Sequence, residues 1–546
     1  MKIITVSALC VIHLFVQDAR AQQKLSPNQP LVRSIEPGKT DSYSISLNDG
    51  DYVSNSIDQH GKVDVIILNP DGSRLRRFPG PQGDGKRQFA FVAEGAGVYS
   101  INVANLEGQP SKYELILEKI LPLNERFQPT AWTDPYPSPR IQALRQQIAR
   151  ERGNTEAFWR QVAQEGTPLV EPFGTDGKYQ LVTFLWRALF DTRNALVLGS
   201  FGVPKQNRLD FVMHRLADTD VWYLTLKLPK GARFSYRLSP NDPLVLDGYR
   251  ADQRRATSQA DPLNPHRWGC DPGDPKFDCV SIAELPGATP QPWMLKKAGN
   301  PEGKVETRQI RSEIQKLDRS ISIYTPSGYE RNGPPNRLLV LFDADDYVSP
   351  ASVTMDNLIA ASRLPPTVAV LVSNVRGRRL KDLVADPAFA DFMGKELIPW
   401  VRANYNVTHD PSQTVVGGFS AGGLAACYMA LRYPNIFGNV LSQSGAVWWS
   451  PEQGIDNRDP INEPNWTARQ FLASPKLAVK FYIEAGAFET DHDGTGADIL
   501  EASRHLRDVL LAKGYEVHYR QFVGGHDGLS SRGTLADGLI TLLGKQ

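Results

Sequence analysis

The stretch Thr414 to Tyr428, TVVGGFSAGGLAACY, narrows the possible folds more than any other part of the chain. A short apolar run leads into a glycine-rich turn, and small residues with helix-forming character follow. The pentapeptide Gly418-Phe419-Ser420-Ala421-Gly422 (G-x-S-x-G) therefore stands between a predicted strand and a predicted helix, the setting a nucleophile elbow requires. Glycines on both sides of Ser420 let the backbone enter and leave a strained turn with no Cβ in the way. The hydroxyl is then presented at the carboxyl edge of a sheet and at a helix N-terminus, whose backbone N–H groups can stabilise an oxyanion. Ser420 is the candidate nucleophile, against the plainer reading of a Gly/Ser loop between two elements.

Such an elbow needs a mainly parallel sheet beneath it, and the C-terminal half carries that pattern. From Arg308 onward the apolar segments SISIYTP, RLLVLFDADD, TVAVLVSN, NVLSQSG, KFYIEAG and EVHYRQFVGG are separated by helix-length stretches, among them Ala388 to Asn404 and Ala497 to Lys513. Apolar strands alternating with helices indicate a sheet covered on both faces, assigned to residues 300–546. Upstream the period changes. Residues 31–120 hold short alternating segments (SYSISL, DVIILNPDGS, QFAFVAE, YSINVAN, YELILEKI) broken by Asn, Asp and Gly, the pattern of a small β-sandwich. Residues 121–166 read as a Pro-rich linker followed by two short helices, and 167–290 as a second, aromatic-rich sandwich. At 546 residues the chain exceeds a single core. The expected architecture is multidomain, with two N-terminal β-sandwiches followed by an α/β-hydrolase domain.

Lys and Arg total 61 against 60 for Asp and Glu, which gives no support to a nucleic-acid-coating role. Residues 1–21, MKIITVSALCVIHLFVQDARA, have the charged start, apolar centre and Ala19-Arg20-Ala21 end of a cleavable export signal. That apolar run is too short for a stable membrane span. A secreted or periplasmic protein without stable membrane insertion is expected. In an oxidising compartment Cys270 and Cys279 are expected to pair across their Pro/Gly/Asp loop. Cys427, among small apolar residues behind the elbow, is expected to be buried and inert.

A serine hydroxyl becomes a useful nucleophile when a base takes its proton and a carboxylate orients that base. With this elbow the chain order is serine, acid, histidine. His526 lies in VGGHDGL at the end of a late strand and is the candidate base, ahead of His492, His505 and His518. The acid is expected after KFYIEAG, in the loop AFETDHD. Glu489 is the nearest to the strand end, with Asp491 and then Asp493 behind it. The oxyanion hole is expected to use the N–H of Ala421 and one from the loop after LLVLFDADD, either Asp345 or, next, Asp346. No cofactor and no metal are invoked.

The stretch from about Gly166 to the C-terminus resembles the enterochelin (ferric enterobactin) esterases of the esterase D-like group. The residues that carry the resemblance are PLVEP, WYLTLKLPKG and DPLNP in the second sandwich. In the hydrolase region they are LLVLFDADDYV, RLKDL at Arg379 to Leu383, FMGKELIPW at Phe392 to Trp400, GGFSAGGLAA, SQSGAVWW and GGHDGLSSR. The resemblance implies Ser420 as nucleophile, His526 as base, Glu489 in the acid position and Arg379 at a substrate-binding position. One departure is that Ser531, not an aromatic residue, precedes Arg532, so the pocket wall is expected to differ there. The N-terminal segments IEPGKTDSYSISLNDGDYV, VDVIILNPDGS and GAGVYSINVAN resemble the bacterial pre-peptidase C-terminal domain, which implies an accessory β-domain.

The family substrate, ferric enterobactin, is a compact anion built on a cyclic triester of serine with catecholates around the iron. Arg376, Arg378 and Arg379 would supply positive charge to it, and Trp448 and Trp449 flat apolar surface. The competing expectations are a secreted carbohydrate esterase acting on feruloyl or acetyl groups, and a non-catalytic binding protein on a hydrolase scaffold.

Overall fold

The computed structural model describes residues 23–544 apart from 81–83, 126–133, 152–153, 189–191, 200, 202–207, 245–255, 271–274, 452–464 and 491–497. The expected export signal at 1–21 lies outside the described residues. The chain forms two compact units, one of residues 1–128 with 243–257 and one of residues 129–242 with 258–546.

The first unit is made of two sheets. One runs in the order Gln23–Lys24, Thr40–Leu47, Gly97–Ala104, Asp64–Leu68, Arg74–Phe78, and the other in the order Leu31–Ile35, Ser111–Leu121, Tyr52–His60, Gly85–Val92. Period-two alternation sends every second side chain to one face, so Tyr43, Ile45, Val65 and Ile101 of one sheet meet Val53, Ile57, Phe91 and Leu115 of the other in a single core. The segment 243–257, expected to lie within the second sandwich, belongs here instead. Ala256 is buried with Tyr52, Ala90 and Val92, and its carbonyl accepts a 2.7 Å bond from Arg76 Nη1.

The second unit begins with the helices Pro139–Glu151 and Glu156–Glu165. Ile141, Leu144, Phe158, Trp159 and Val162 share a core with Leu169, Leu185, Val221 and Tyr223. Two sheets follow, in the orders Leu169–Phe173, Tyr179–Arg187, Val221–Pro229, His214–Arg215 and Ala195–Gly199, Arg233–Pro240, Val280–Glu284, Arg267–Trp268. The strand Tyr179–Arg187 lacks clean alternation because both of its faces are covered. Val182, Phe184 and Trp186 enter the core between the sheets, while Leu185 enters the core beneath the helices. Cys270 and Cys279 form a disulfide beside the strand Arg267–Trp268.

The rest of this unit is an α/β domain on an eight-stranded sheet, ordered Lys304–Ser312, Leu317–Thr325, Thr367–Val372, Arg337–Phe342, Thr414–Phe419, Asn439–Gln443, Lys480–Gly486, Glu516–Phe522. Leu317–Thr325 runs antiparallel to both neighbours, and the pairs from Thr367–Val372 to Glu516–Phe522 are all parallel. Parallel strands must be buried on both faces, and separate cores lie on the two sides. Val340, Val370, Val416 and Ile483 point into one, Leu339, Leu371, Val415 and Leu441 into the other. The helix expected over 388–404 is continuous but contains a π-helical turn at Phe392–Leu397. No helix among the described residues is long and apolar enough to cross a membrane.

Candidate active site

The elbow has the geometry that its glycines permit. The strand Thr414–Phe419 ends at Ser420, whose backbone is strained at φ 60°, ψ −120°, and the helix Ala421–Arg432 starts at the next residue. Neighbouring backbone holds the strain in place, with Ser420 N–H donating to the Gln443 carbonyl at 3.0 Å and its own carbonyl accepting from Ala446 N–H at 2.9 Å. A Cβ on Gly418 would lie 2.9 Å from Gly422 Cα, and one on Gly423 would lie 2.8 Å from Gly445 Cα. The turn closes only because those positions carry no side chain.

Two later loops bring the partners. His526 Nε2 lies 3.0 Å from Ser420 Oγ, and its Nδ1 lies 2.7 Å from Glu489 Oε1. A carboxylate can only accept, so Nδ1 carries the proton, and the lone pair of the neutral ring at Nε2 faces the serine hydroxyl. Phe419, the residue between Gly418 and Ser420, stacks on the imidazole with centroids 4.4 Å apart and planes 25° apart. Glu489 is buried at 4 % exposure, and its second oxygen accepts a 2.6 Å bond from Gly486 N–H. Its own N–H returns to the Gly486 carbonyl at 3.1 Å, so a closed turn at the strand end aims the carboxylate. Asp491, His492 and Asp493 lie outside the described residues.

Ala421 opens its helix, which leaves its N–H among those the helix cannot satisfy, beside Ser420. Asp345 is the second residue of the helix Ala344–Ala360, and its side chain is exposed. The N–H of Asp346 is engaged with the Asp343 carbonyl at 3.0 Å.

The arginines are less available than their charge implied. Arg379 is bound to Asp343, and that hydrogen bonding holds the guanidinium pKa above its ordinary value. Arg378 pairs with Asp382 at 3.0 Å, and buried Arg319 pairs with the same carboxylate at 2.6 Å. Arg376 is exposed. Trp448 does not offer a flat surface: it is 6 % exposed and belongs to the core behind the elbow, as does Trp449. Cys427 is fully buried in that core, and burial pushes its thiol up to about 12, so it is no second nucleophile.

Two family models match the chain, one described as a putative esterase over residues 312–542 and one as the N-terminal domain of enterochelin esterase over residues 181–294. The iron(III) enterobactin esterase of Dickeya dadantii is 32% identical over 430 residues, 72% of this chain and 94% of that protein. The chain belongs to the enterochelin esterase family. The iron(III) enterobactin esterase of Escherichia coli O6:H1 is 33% identical over 66% of this chain and 90% of its own length. The enterobactin esterase of Shigella flexneri, crystallised in the presence of enterobactin, superposes with a TM-score of 0.55 at 29% identity, covering 71% of this chain and 98% of that one. This member of the enterochelin esterase family is an ester hydrolase, with a sheet-rich N-terminal part and an α/β-hydrolase domain.

In this member of the family the elbow rests on a buried polar network that sequence reasoning missed. Gln443, whose carbonyl receives the Ser420 N–H, donates from Nε2 to Glu484 Oε1 at 2.9 Å and to the Ser531 carbonyl at 2.7 Å. Tyr347 donates to Gln443 Oε1 at 2.8 Å, and the Thr534 hydroxyl also donates to Glu484. Glu484 is fully buried, and desolvation pushes its carboxyl up to about 7 against the opposing bonds from Thr534 and Gln443. Asp343 was missed as well. The signals for both were carboxylates inside otherwise apolar strand ends, Glu484 in FYIEAG and Asp343 in LVLFDA.

Proposed function

We propose that the protein is an exported serine esterase that hydrolyses the ester bonds of a ferric catecholate siderophore such as enterobactin and so assists iron release. The hydrogen-bonded chain Ser420–His526–Glu489 on a strained elbow carries this reading, together with relatives named for enterobactin. Ser420 Oγ attacks the ester carbonyl while His526 Nε2 takes its proton, and Glu489 stabilises the imidazolium at Nδ1. The N–H groups of Ala421 and Asp345 receive the developing oxyanion, and Arg376 contributes attraction for an anionic chelate. His526 then protonates the departing serine alkoxide of the trilactone. Water, activated by the same ring, releases the acyl group from Ser420. An N-terminal export signal at 1–21 puts this chemistry in the periplasm or outside the cell.

The test is product analysis by chromatography after incubating the protein and its Ser420→Ala variant with ferric enterobactin, with a feruloylated or acetylated sugar in parallel. Opening of the trilactone by the wild type, lost by roughly 10⁴-fold in the variant, is the expected result. Cleavage of the sugar ester with the trilactone left intact would replace this reading with that of a carbohydrate esterase.

A further inference from the structure

The acid and the base both sit on loops that touch the sheet pair upstream of the α/β domain, and neither loop is held by the α/β sheet alone. Phe488, next to Glu489, is 3 % exposed in the core made by Phe184, Phe234, Ala283 and Leu285 of those two upstream sheets. Asp527, next to His526, accepts from Ser235 N–H at 3.0 Å and from Ser235 Oγ at 3.1 Å through one carboxylate oxygen. Its other oxygen caps the helix Gly528–Leu543 by accepting from Ser530 N–H at 3.0 Å. One carboxylate thus joins the upstream strand Arg233–Pro240 to the helix that follows the histidine.

Backbones meet directly between these points. Arg233 N–H donates to the Val523 carbonyl at 3.0 Å, and Phe488 N–H donates to the Gly524 carbonyl at 3.0 Å. A Cβ on Gly524 would lie 2.8 Å from the Arg233 carbonyl oxygen, and one on Gly486 would lie 2.3 Å from the Gly524 carbonyl oxygen. Three chain segments are therefore stacked with no side chain between them: an upstream strand, the histidine loop and the end of the acid's strand. On the far side the Trp268 ring lies 4.6 Å from Arg532, and a Cβ on Gly528 would lie 2.6 Å from that ring.

We propose that the upstream sheet pair is a clamp that sets the spacing of Glu489 and His526, with Ser235, Asp527 and Phe488 as its positioning residues. The inference rests on the serine-esterase reading above. It goes beyond that reading in assigning part of the rate of the chemical step to residues that touch neither substrate nor nucleophile. A sheet pair that only contacted a large substrate would alter KM for that substrate and leave the turnover of a small ester unchanged. A clamp does the reverse, because misplacing an acid–base pair by a fraction of an ångström weakens proton transfer whatever the acyl group.

The experiment uses the full chain and p-nitrophenyl acetate, with melting temperature recorded for every variant. Ser235→Ala, Asp527→Asn and Phe488→Ala are expected to lower kcat by roughly 10- to 100-fold with KM held within about twofold, while the more conservative Phe488→Leu recovers most of the loss. The low-field proton resonance of the His526–Glu489 hydrogen bond is expected to be sharp in the wild type and to broaden or vanish in the three slow variants. A loss that active-site titration traces wholly to unfolded protein overturns the proposal. So does kcat within about twofold of wild type in Ser235→Ala and Phe488→Ala with the resonance unchanged. Ser420→Ala separates the two readings. If it stays active, the serine reading fails and the clamp with it; if it is inactive while the clamp variants turn over normally, the clamp alone fails.

Discussion

Arg379 grips Asp343 with both ends of its guanidinium, Nε to Oδ1 at 2.7 Å and Nη2 to Oδ2 at 2.8 Å. Asp343 closes the strand Arg337–Phe342 in a left-handed conformation, φ 57°, with its side chain 3 % exposed. Asn374 Nδ2 donates to the same carboxylate at 2.6 Å, and Oδ2 would lie 3.3 Å from a Cβ on Gly422. The arginine charge is answered inside the protein, beside Gly422, which follows Ser420 by two residues. Arg379→Ala leaves a buried carboxylate without its partner beside the elbow. Breaking a fully buried pair costs about 3–5 kcal/mol, and the 37 % exposure of the arginine side chain reduces this to about 1–3 kcal/mol. Urea unfolding should show that loss, and kcat/KM should fall on a neutral ester as well as on an anionic siderophore. A loss confined to the siderophore and abolished by salt would mean that the arginine acts on substrate instead.

Glu489→Gln keeps the shape of the acid and removes its charge. With one oxygen replaced by an amide, the side chain cannot both accept from Gly486 N–H and favour the proton on His526 Nδ1. A fall in kcat of roughly 10³- to 10⁴-fold is expected, as for the carboxamide variant of other serine triads. Asp491→Asn and Asp493→Asn should leave kcat nearly unchanged. The comparison is made at temperatures where the unfolding curves coincide.

Gly418→Ala tests the elbow's packing. The added methyl would meet the Gly422 backbone at 2.9 Å, and backbone cannot rotate aside as a side chain can. Overpacking of this kind costs about 1–3 kcal/mol, and esterase activity should disappear while the far-ultraviolet circular dichroism stays native. Full activity in a folded variant would show that the turn is looser than its contacts require.

Glu484 makes stability depend on pH. Its carboxyl titrates near 7 in the folded chain against an ordinary 4.5, so between those values the folded state holds a proton that the unfolded state has lost. This group's contribution is therefore full below pH 4.5 and is lost as pH rises to 7. Glu484→Gln is expected to remove that slope, and at pH 8 to match or exceed the wild type, by on the order of 3 kcal/mol at most. Urea titrations at acidic and alkaline pH measure it directly. A wild type that gains stability across this window relative to the glutamine variant would contradict the assignment.

What could be read from the sequence was local. The glycines around Ser420 and the loops after KFYIEAG and EVHYRQFV are determined within a few residues, and Glu489 and His526 do meet there. Partnerships set by tertiary contact were not readable. Asp343 and Arg379 are 36 positions apart, and nothing near either one marks the other. Strand Tyr179–Arg187 departs from clean alternation because its second apolar face answers to helices that precede it in the chain. Trp448 looked like a surface for ligand, yet a large ring next to a small-residue helix is more often a core filler, and here it is one.

Phe488 belongs by sequence to the hydrolase and by packing to the sheets before it. A boundary drawn near residue 300 consequently cuts through a shared core, and an engineered exchange made there disturbs both sides of it. Exchanging the upstream sheets for those of another esterase would transplant a cavity shaped for a different side chain at position 488. Chimeras joined upstream of the helix Pro139–Glu151, which keep this compact unit whole, are the ones expected to retain activity.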